Sequence, residues 1–304
     1  MKKYFLALAL LFVLVSSLSG VAYADEIGKC FLYLNPQNYQ LALQAGENAV
    51  KLYPDSARAH GCLGGAYYYL GDFNSSVEEL KTAERLTSDE KILSGIYGFL
   101  GEDYENLGNF NTALLYYSRA LKIHTDLNDT ETESIDLDNI AGIYMYMGNY
   151  DKALEYYNKS LQLTSNPSAI ATIYSYIGLV YLIKGDNNKA IEYAKNTIQI
   201  DQENGNYKGI VRDMIDITLP YISLGNFSEA KYYLTQGLDM AKKLGEKEWE
   251  AIAYAVFGQL YSAQNQETLA KEYFTKSYNL YKSIGNNSEA QRIYKTYLKT
   301  YLRQ

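Results

Sequence analysis

Two histidines and two cysteines are the residues of this chain whose side chains are best suited to metal binding or nucleophilic catalysis. Cys30 and Cys62 are too few for a disulfide scaffold or a four-cysteine zinc site, and His60 and His124 leave little for acid–base chemistry. The sequence contains no HExxH, GxSxG or glycine-rich phosphate-binding motif that would supply a catalytic group. We therefore expect no catalytic residue, no cofactor and no metal ion.

The composition indicates a folded protein that does not bind nucleic acid. The 304 residues are 47% hydrophobic, which is enough for a sizeable core. There are 28 Lys and Arg against 35 Asp and Glu, and the chain lacks the basic clusters that phosphate backbones require. Only 4 prolines are present, which permits long helices, whereas the 33 tyrosines need an explanation.

Residues 1–24 have the order of features that is typical of a secretory signal peptide. Lys2 and Lys3 precede an apolar run over residues 4–15, and Ala22-Tyr23-Ala24 supplies small residues for cleavage. The apolar run is shorter than the roughly 20 residues that span a bilayer. We predict cleavage after Ala24 and an extracytoplasmic protein, secreted or periplasmic. An uncleaved membrane anchor is the alternative.

A repeated dipeptide divides the rest of the chain into units of similar length. In five of these units a glycine is followed by Asp or Asn, with a tyrosine four residues before the glycine and a small residue five residues after it. The glycines are Gly71, Gly108, Gly148, Gly185 and Gly225; the tyrosines are Tyr67, Tyr104, Tyr144, Tyr181 and Tyr221; the small residues are Ser76, Ala113, Ala153, Ala190 and Ala230. A sixth unit has Tyr261 and Ala270 but Asn265 in place of the glycine. Self-similarity of this kind is typical of repeat proteins.

This spacing predicts a pair of antiparallel helices in each unit. Glycine can adopt the left-handed conformation that ends a first helix, here called helix A. The Asp or Asn that follows can accept hydrogen bonds from the first amides of a second helix, here called helix B. The tyrosine is expected to face inward on helix A, and the small residue lets helix B approach closely.

These units resemble the tetratricopeptide repeat. The residues that carry the resemblance are Leu63-Gly64-x-x-Tyr67 with Ala83, and Leu100-Gly101-x-x-Tyr104 with Ala113, Tyr117 and Ala120. The resemblance implies an all-α, right-handed α-solenoid over residues 25–304, with a partial repeat at 25–56, repeats starting near residues 57, 94, 134, 171, 211 and 251, and a capping helix at 287–304. The steps of 37 and 40 residues exceed the minimal repeat, and we expect the extra residues to lengthen the helices by whole turns.

In this family one face of the A helices lines a concave groove, so the resemblance implies a set of groove residues. The early repeats would contribute acidic, polar and aromatic residues together with one arginine: Arg58, Tyr68, Tyr69, Glu102, Glu105, Asn106, Asp138 and Tyr146. The later repeats would contribute an aliphatic set: Leu179, Leu182, Ile183, Ile215, Leu219, Ile222 and Ile252. The aliphatic set could be buried by helix packing, bind an apolar segment of a partner, or mediate self-association.

The resemblance implies a non-enzymatic scaffold that binds a protein or peptide partner in this groove. Two other functions stay open. One is a structural subunit that forms homo-oligomers, and the other is an envelope sensor or carbohydrate-binding module that uses Tyr68, Tyr69 and Tyr146. We expect no nucleic-acid partner and no stable membrane insertion once the signal peptide is removed.

Cys30 and Cys62 would lie on successive A helices in this repeat frame, and export would bring them into an oxidising compartment. A disulfide requires Cα atoms within about 7 Å of each other, which neighbouring A helices reach only at favourable offsets. Both a disulfide and two buried thiols are therefore compatible with the sequence.

Overall fold

The computed structural model describes residues 25–299, and over this range the chain is helical and contains no strand. The predicted signal peptide and residues 300–304 of the predicted capping helix lie outside the described residues. The helices are α1 (Glu26–Tyr33), α2 (Tyr39–Leu52), α3 (Ala57–Leu70), α4 (Phe73–Arg85), α5 (Glu90–Asn106), α6 (Phe110–Asp126), α7 (Thr130–Tyr146), α8 (Tyr150–Leu163), α9 (Pro167–Ile183), α10 (Asn187–Glu203), α11 (Tyr207–Asp216), α12 (Thr218–Ser223), α13 (Phe227–Leu244), α14 (Lys247–Ala263), α15 (Glu267–Ser283) and α16 (Asn287–Ile293), followed by a π-helical turn (Tyr294–Leu298). None of the helices in this part of the chain is long and apolar enough to cross a bilayer.

The turn between helix A and helix B forms as the repeated dipeptide predicts. Gly71 ends α3 with a φ of 86°, in the left-handed region that favours glycine. The side chain of the next residue, Asp72, accepts a hydrogen bond from the Ser75 amide at 3.2 Å and so caps α4. In the sixth unit Asn265 takes a φ of 58°, which asparagine tolerates better than most residues with a side chain.

The two spacings of the repeat correspond to two lengths of helix B. In the units that span 37 residues, α4 and α8 have 13 and 14 residues. In the units that span 40 residues, α6 and α10 have 17 residues and α13 has 18. The difference is close to one helical turn of about 3.6 residues, so the inward-facing side chains keep their register. The expectation that extra residues lengthen the helices by whole turns is confirmed.

The described residues form two compact units, with the boundary between Thr164 (the end of unit 1) and Ser165 (the start of unit 2). In the described part, unit 1 contains α1–α8, and unit 2 contains α9–α16 with the π-helical turn. Within each unit every helix packs against the one that follows it. Each unit also has its own core of buried side chains, which includes Phe31, Leu80 and Leu100 in unit 1 and Leu234 and Leu260 in unit 2.

Tyrosine pairs join helix A to helix B in five successive hairpins. The tyrosine before each turn lies 5.3–5.7 Å, between ring centroids, from a tyrosine on helix B. The pairs are Tyr104–Tyr116, Tyr144–Tyr156, Tyr181–Tyr193, Tyr221–Tyr233 and Tyr261–Tyr273. A basic side chain lies over a ring of each pair, as Lys189 does at 4.7 Å from the Tyr181 ring. Ring stacking and cation–π contacts both stabilise the hairpin, so these tyrosines are structural.

Helix A of the repeat that starts near residue 211 differs from the other A helices because it is broken. α11 ends at Asp216 and α12 begins at Thr218. Pro220 has no amide hydrogen, and its ring crowds the carbonyl group four residues earlier, which is that of Asp216. The α-helical hydrogen-bond ladder therefore cannot run through this point.

A disulfide joins the N-terminal helix to the first complete repeat. Cys30 on α1 is bonded to Cys62 on α3, with their Cα atoms 6.2 Å apart. Both side chains are buried. A Cβ atom at Gly46 would lie 3.2 Å from the Cys30 Sγ, so α2 passes very close to the bridge. Of the two arrangements compatible with the sequence, the structure contains the disulfide.

The last elements cover the end of unit 2. Ile293 and Leu298 are buried, and the Tyr297 ring stacks on Phe274 with ring centroids 4.2 Å apart. The Tyr297 hydroxyl also accepts a hydrogen bond from the Gln259 side-chain amide at 2.6 Å. These contacts, which lie within residues 287–299, are those expected of a capping element.

Gly101→Ala is expected to destabilise the protein, and Gly61→Ala is the matched control. A Cβ atom at Gly101 would lie 2.5 Å from the buried Tyr117 ring, whereas nothing lies within 4 Å of one at Gly61. Both glycines are inside helices, where alanine is favoured by about 1 kcal/mol. Overpacking of about 1–3 kcal/mol should outweigh this gain at residue 101 only. Chemical denaturation measures both free energies of unfolding, and equal stabilisation by the two substitutions would contradict the close approach of α5 and α6.

Removal of the disulfide is expected to lower the free energy of unfolding by roughly 3–4 kcal/mol. The bridge closes a loop with a sequence separation of 32, which restricts the unfolded chain. The test compares the denaturation of oxidised wild type with that of the Cys30→Ala, Cys62→Ala double variant, and reduced wild type serves as the control for the substitutions themselves. The prediction would be contradicted if mass spectrometry found two free thiols in the native protein, or if all three forms were equally stable.

Candidate interaction surfaces

On unit 1 the structure brings three of the predicted groove residues into one cluster. Tyr68 and Tyr69, in the last turn of α3, have ring centroids 5.3 Å apart. Tyr68 also packs on Phe99 of α5 at 5.5 Å and forms a side-chain hydrogen bond with Glu102 of the same helix. We refer to Tyr68, Tyr69 and Glu102 as the tyrosine–glutamate cluster. It joins the A helices of two successive repeats.

The tyrosine–glutamate cluster is partly buried and carries an acidic group. Glu102 is 8% exposed, and Tyr68 and Tyr69 are half-buried. Burial, and then the nearby Glu102 carboxylate, raise the pKa of both tyrosine hydroxyls well above the usual value of 10. Both hydroxyls therefore stay neutral and can donate hydrogen bonds at any physiological pH.

A second carboxyl group, that of Asp103, is fully buried next to Glu102 in the sequence. Asp103 Oδ2 accepts a hydrogen bond from Ser76 Oγ on α4 at 2.6 Å. Burial raises the pKa of Asp103 to about 8; the Ser76 hydrogen bond opposes this shift, and the charge of Glu102 adds to it. The repeat pattern does not single out Asp103. A signal was nevertheless present, because Ser76 stands where the other five units have alanine.

Glu105 and Asn106 lie on the same end of α5 as Glu102 and make contacts within unit 1. Glu105 accepts a hydrogen bond from the Tyr117 hydroxyl at 3.0 Å. The Asn106 side-chain amide donates to the carbonyl oxygen of Glu102 at 2.8 Å. Asn106 is exposed and Glu105 is half-buried, so both can still contact a partner.

Two predicted residues of α7 are separated from each other along the helix. Asp138 is buried near the middle of α7, and Tyr146 is 52% exposed at its end. Eight residues of helix correspond to about 12 Å along the axis. The Tyr146 ring stacks on Phe110 of α6 at 5.8 Å, with an angle of 11° between the ring planes. Tyr146 is thus an exposed aromatic ring held in place by α6.

Arg58 lies at the opposite end of α3 from the tyrosine–glutamate cluster. Ten residues separate it from Tyr68, which is about 15 Å along the helix axis. The Arg58 guanidinium lies 5.7 Å from the centre of the Phe31 ring. It also lines an apolar cavity of about 10 Å³, which is room for about one water molecule and not for a ligand.

On unit 2 the predicted aliphatic set is largely part of the protein core. Ile215 is 1% exposed, and α13 covers it so closely that a Cβ atom at Gly237 would lie 3.0 Å from Ile215 Cγ1. Leu219, Ile222 and Ile252 are partly buried against the same core. Ile215 is therefore part of the core of unit 2, which for this residue is the alternative of burial by helix packing.

The remaining aliphatic residues lie at the end of α9. Leu179 and Leu182 are half-buried, and Ile183 is 48% exposed. Ile183 is the only exposed member of the predicted aliphatic set. Helix packing therefore buries most of this set at least partly. This is the first of the three alternatives that the sequence left open.

The A helix of unit 2 that contains Ile215 also carries charged residues that the sequence reasoning missed. Arg212 and Asp213 lie in α11, and Arg212 occupies the same repeat position as Arg58, which is the signal that could have found it. Asp216 reaches the solvent, yet desolvation by the surrounding protein, and then the charge of Asp213, raise its pKa to about 7.

Both histidines make contacts between structural elements. His60 Nδ1 lies 2.6 Å from Glu79 Oε2, and His60 Nε2 lies 2.8 Å from the carbonyl oxygen of Pro54. His124 Nδ1 lies 2.5 Å from Asp136 Oδ2, and both of these side chains are buried. Across residues 25–299, no group of three or more His, Cys, Asp and Glu side chains is placed to hold a metal ion.

Solved structures similar to this chain share its stacked helix pairs. The apo form of RapI superposes with a TM-score of 0.65 at 18% identity and covers 80% of this chain and 96% of RapI. The apo form of the quorum sensor NprR from B. thuringiensis gives a TM-score of 0.65 at 17% identity, covering 89% of this chain and 84% of NprR. A signal-transduction ATPase with numerous domains and a tetratricopeptide-repeat sensor, from Pyrococcus horikoshii, gives a TM-score of 0.72 at 16% identity and covers 88% of this chain and 44% of that protein. At these identities the likeness is one of fold.

Comparison with curated protein sequences finds no match to this chain. A family model of the tetratricopeptide repeat matches residues 92–166, 131–203 and 221–283. These segments together make up more than half of the chain and include helices from both units. They contain four of the five Gly–Asp/Asn turns described above, those at Gly108, Gly148, Gly185 and Gly225, with their inward tyrosines and the small residues of helix B. The chain belongs to the tetratricopeptide-repeat family.

Proposed function

We propose that this chain is an exported, non-enzymatic scaffold that holds a basic segment of a partner protein on the A helices of unit 1. The tetratricopeptide-repeat fold is typically a non-catalytic interaction scaffold, which supports the class of function. The similar structures include a quorum sensor and a protein with a tetratricopeptide-repeat sensor, but at 16–17% identity they support no more than this use of the fold.

The tyrosine–glutamate cluster is the observation that carries this proposal. A carboxylate that is 8% exposed loses much of its hydration, which destabilises the folded state unless other groups compensate. At this position Glu102 accepts a hydrogen bond from Tyr68 and lies near Tyr69. A lysine or arginine of a partner would contact both the carboxylate and the ring faces, and a cation–π contact alone contributes about 0.5–2 kcal/mol.

The surroundings of the cluster favour a basic partner over an acidic one. Glu102, Glu105 and Asp138 lie on the A helices α5 and α7 of unit 1, while Arg58 is at the far end of α3. The negative charge would attract a cationic segment and repel an anionic one. The exposed side chains of Asn106 and Tyr146 can supply polar and aromatic contacts to a partner, because uncharged side chains add contact area at a small desolvation cost.

Two observations support export. Residues 1–24 have the features of a signal peptide, and Cys30 and Cys62 are paired in the described structure. Disulfides persist mainly in oxidising compartments outside the cytoplasm. The proposed site of action is therefore the periplasm or the cell exterior.

Glu102→Gln is expected to weaken partner binding about tenfold, or about 1.4 kcal/mol. Glutamine keeps an acceptor for the Tyr68 hydroxyl but removes the negative charge that would attract a cation. Partners are captured from the extracytoplasmic fraction with the mature protein and identified by mass spectrometry. The dissociation constant of the main partner is then measured by calorimetry for wild type, Glu102→Gln and Tyr69→Ala. Binding to wild type should also weaken as ionic strength rises.

Tyr207→Ala is the control, because Tyr207 is 59% exposed and belongs to α11 of unit 2, whereas the tyrosine–glutamate cluster belongs to α3 and α5 of unit 1. Its dissociation constant should equal that of wild type. The proposal fails if Glu102→Gln binds the partner as tightly as wild type does, or if the bound segment of the partner contains no basic residue.

A further inference from the structure

The broken helix A of unit 2 lies beside a buried group of charged side chains. Asp213 on α11 and Asp201 on α10 are 3% and 1% exposed. Arg212 Nε donates a hydrogen bond to Asp213 Oδ1 at 2.8 Å, and Arg212 Nη2 lies 3.9 Å from Asp201 Oδ2. Asn206 Nδ2 donates to Asp201 Oδ1 at 3.1 Å. These contacts join α11 to the helix that precedes it.

The first turn of α11 is built to accept the Asp201 carboxyl group. A Cβ atom at Gly209 would lie 1.8 Å from Asp201 Oδ2, so only glycine leaves room for this oxygen. Gly209 is itself buried, and its amide donates to Asn206 Oδ1 at 3.1 Å. The position of Asp201 against α11 is therefore fixed by packing as well as by charge.

Each of the two aspartates has one buried oxygen that receives no hydrogen bond from an N–H or O–H group of the described chain: Asp201 Oδ2 and Asp213 Oδ2. Both carboxyl groups lie against the same Arg212 guanidinium, and a side-chain hydrogen bond with Asp201 contributes to the raised pKa of Asp213. Two carboxylates cannot form such a bond, because neither has a hydrogen to donate, whereas a carboxylic acid and a carboxylate can. We propose that Asp201 and Asp213 share one proton in the folded protein, and that this proton holds α11 against α10 and makes the broken helix A sensitive to pH.

The charges that face this pair do not balance without the shared proton. Arg212 is the one basic group in direct contact, and Asp216, one turn further along α11, adds a third carboxyl group. On the neighbouring elements, Ser175 of α9 accepts a hydrogen bond from Arg212 Nη2 at 3.3 Å and is neutral, and α12 contains no carboxylate or amine. Two buried aspartates, with the exposed Asp216 nearby, face one arginine, and this leaves excess negative charge that a proton removes.

One further charged contact joins α11 to the elements that follow α12. Lys208 pairs with Glu246, in the turn between α13 and α14, at 2.6 Å. Lys208 is largely exposed, and its partner on the α13–α14 turn is a separate group from the aspartate pair. The ion pair connects the start of α11 to the α13–α14 turn at every pH at which both side chains are charged. It therefore limits how far the start of α11 can move from that turn.

The position of the pair makes α11 the element that responds. Pro220 interrupts the hydrogen-bond ladder directly after Asp216, so α11 can loosen without unwinding α12. Its attachment to α10 combines the polar contacts of the aspartates, Arg212 and Asn206 with the packing of Val211 and Ile215 in the core of unit 2. The loss of the shared proton would place two adjacent negative charges in a buried site, which favours separation of the two helices.

The direction of the pH effect follows from the sign of the pKa shifts. Burial raises the pKa of Asp213 to about 6 against the attraction of Arg212, with Asp201 adding to the rise, and that of Asp216 is raised to about 7. Because the value in an unfolded chain is 3.8, the folded state binds these protons more tightly. The stabilisation they give is complete below the unfolded value and is lost as pH rises through about 6 to 7. Rising pH should therefore loosen α11.

Hydrogen exchange measured by mass spectrometry on the full chain tests this proposal. Protection factors, which are corrected for the intrinsic effect of pH on exchange, are compared at pH 5 and pH 8. For residues 207–216 of wild type we expect at least a tenfold fall in protection at pH 8, since one pKa unit corresponds to a factor of ten. Residues 267–283, which form α15, should keep the same protection at both pH values.

Asp213→Asn separates the shared proton from other effects of pH. Asparagine supplies an N–H donor to Asp201 at every pH, so protection of residues 207–216 should depend on pH much less than in wild type, with Asp216 as the remaining titrating group. Asp201→Asn is the second variant and should give the same result. Asp239→Asn, at an exposed aspartate on α13, is the matched control and should behave as wild type.

Two results would overturn the proposal. One is equal protection of residues 207–216 at pH 5 and pH 8 in wild type, which is decisive whether or not any variant folds. The other is a wild-type pH dependence in a folded Asp213→Asn or Asp201→Asn protein. Neither result bears on partner binding by unit 1, because no partner is present in the experiment.

Discussion

In three repeats, the distance between helix A and helix B is set by a large side chain of helix B that packs directly against a glycine of helix A. A Cβ atom at Gly101 would lie 2.5 Å from the Tyr117 ring, and one at Gly258 would lie as close to an aromatic ring of α15. Because protein interiors are close-packed, one such contact fixes the separation of two backbones. Repetition of this contact gives successive A helices the regular placement that brings Glu102 of one repeat to Tyr68 of the previous one.

Features that recur in several repeats could be predicted from the sequence, and features confined to one repeat could not. The turns, the order of the helices and the helix face that carries Tyr68 and Glu102 all follow from a pattern seen up to six times. The depth to which each helix is buried does not follow from this pattern. Ile215 has a groove position in the repeat, but the close approach of α13 at Gly237 buries it. Pro220 breaks a single helix, and no second copy of it exists from which its effect could be inferred.

The buried carboxyl groups occur where single repeats depart from the common pattern. Ser76 replaces the alanine of the other repeats, and its hydroxyl supplies the donor that the buried Asp103 accepts. Asp201 and Asp213 lie beside the one broken A helix. A buried carboxyl group destabilises a fold unless a donor or a proton neutralises it, so stability alone does not explain these residues. Natural proteins depart from local rules mainly at functional or strained sites, so these carboxyl groups mark positions with a role beyond the stability of the repeat.

A stack of helix pairs is weakest at its ends, because a terminal element has a neighbour on one side only. α1 has 8 residues and α16 has 7, and helices this short are not stable alone. The stacking of Tyr297 on Phe274 holds the end of unit 2, whereas a disulfide to Cys62 holds α1. Cys62 lies in α3, the helix that also carries Tyr68 and Tyr69. Reduction of the bridge would release α1 from α3, the helix that supplies both rings of the tyrosine–glutamate cluster. The proposed export to an oxidising compartment and the proposed binding of a basic segment therefore both depend on α3.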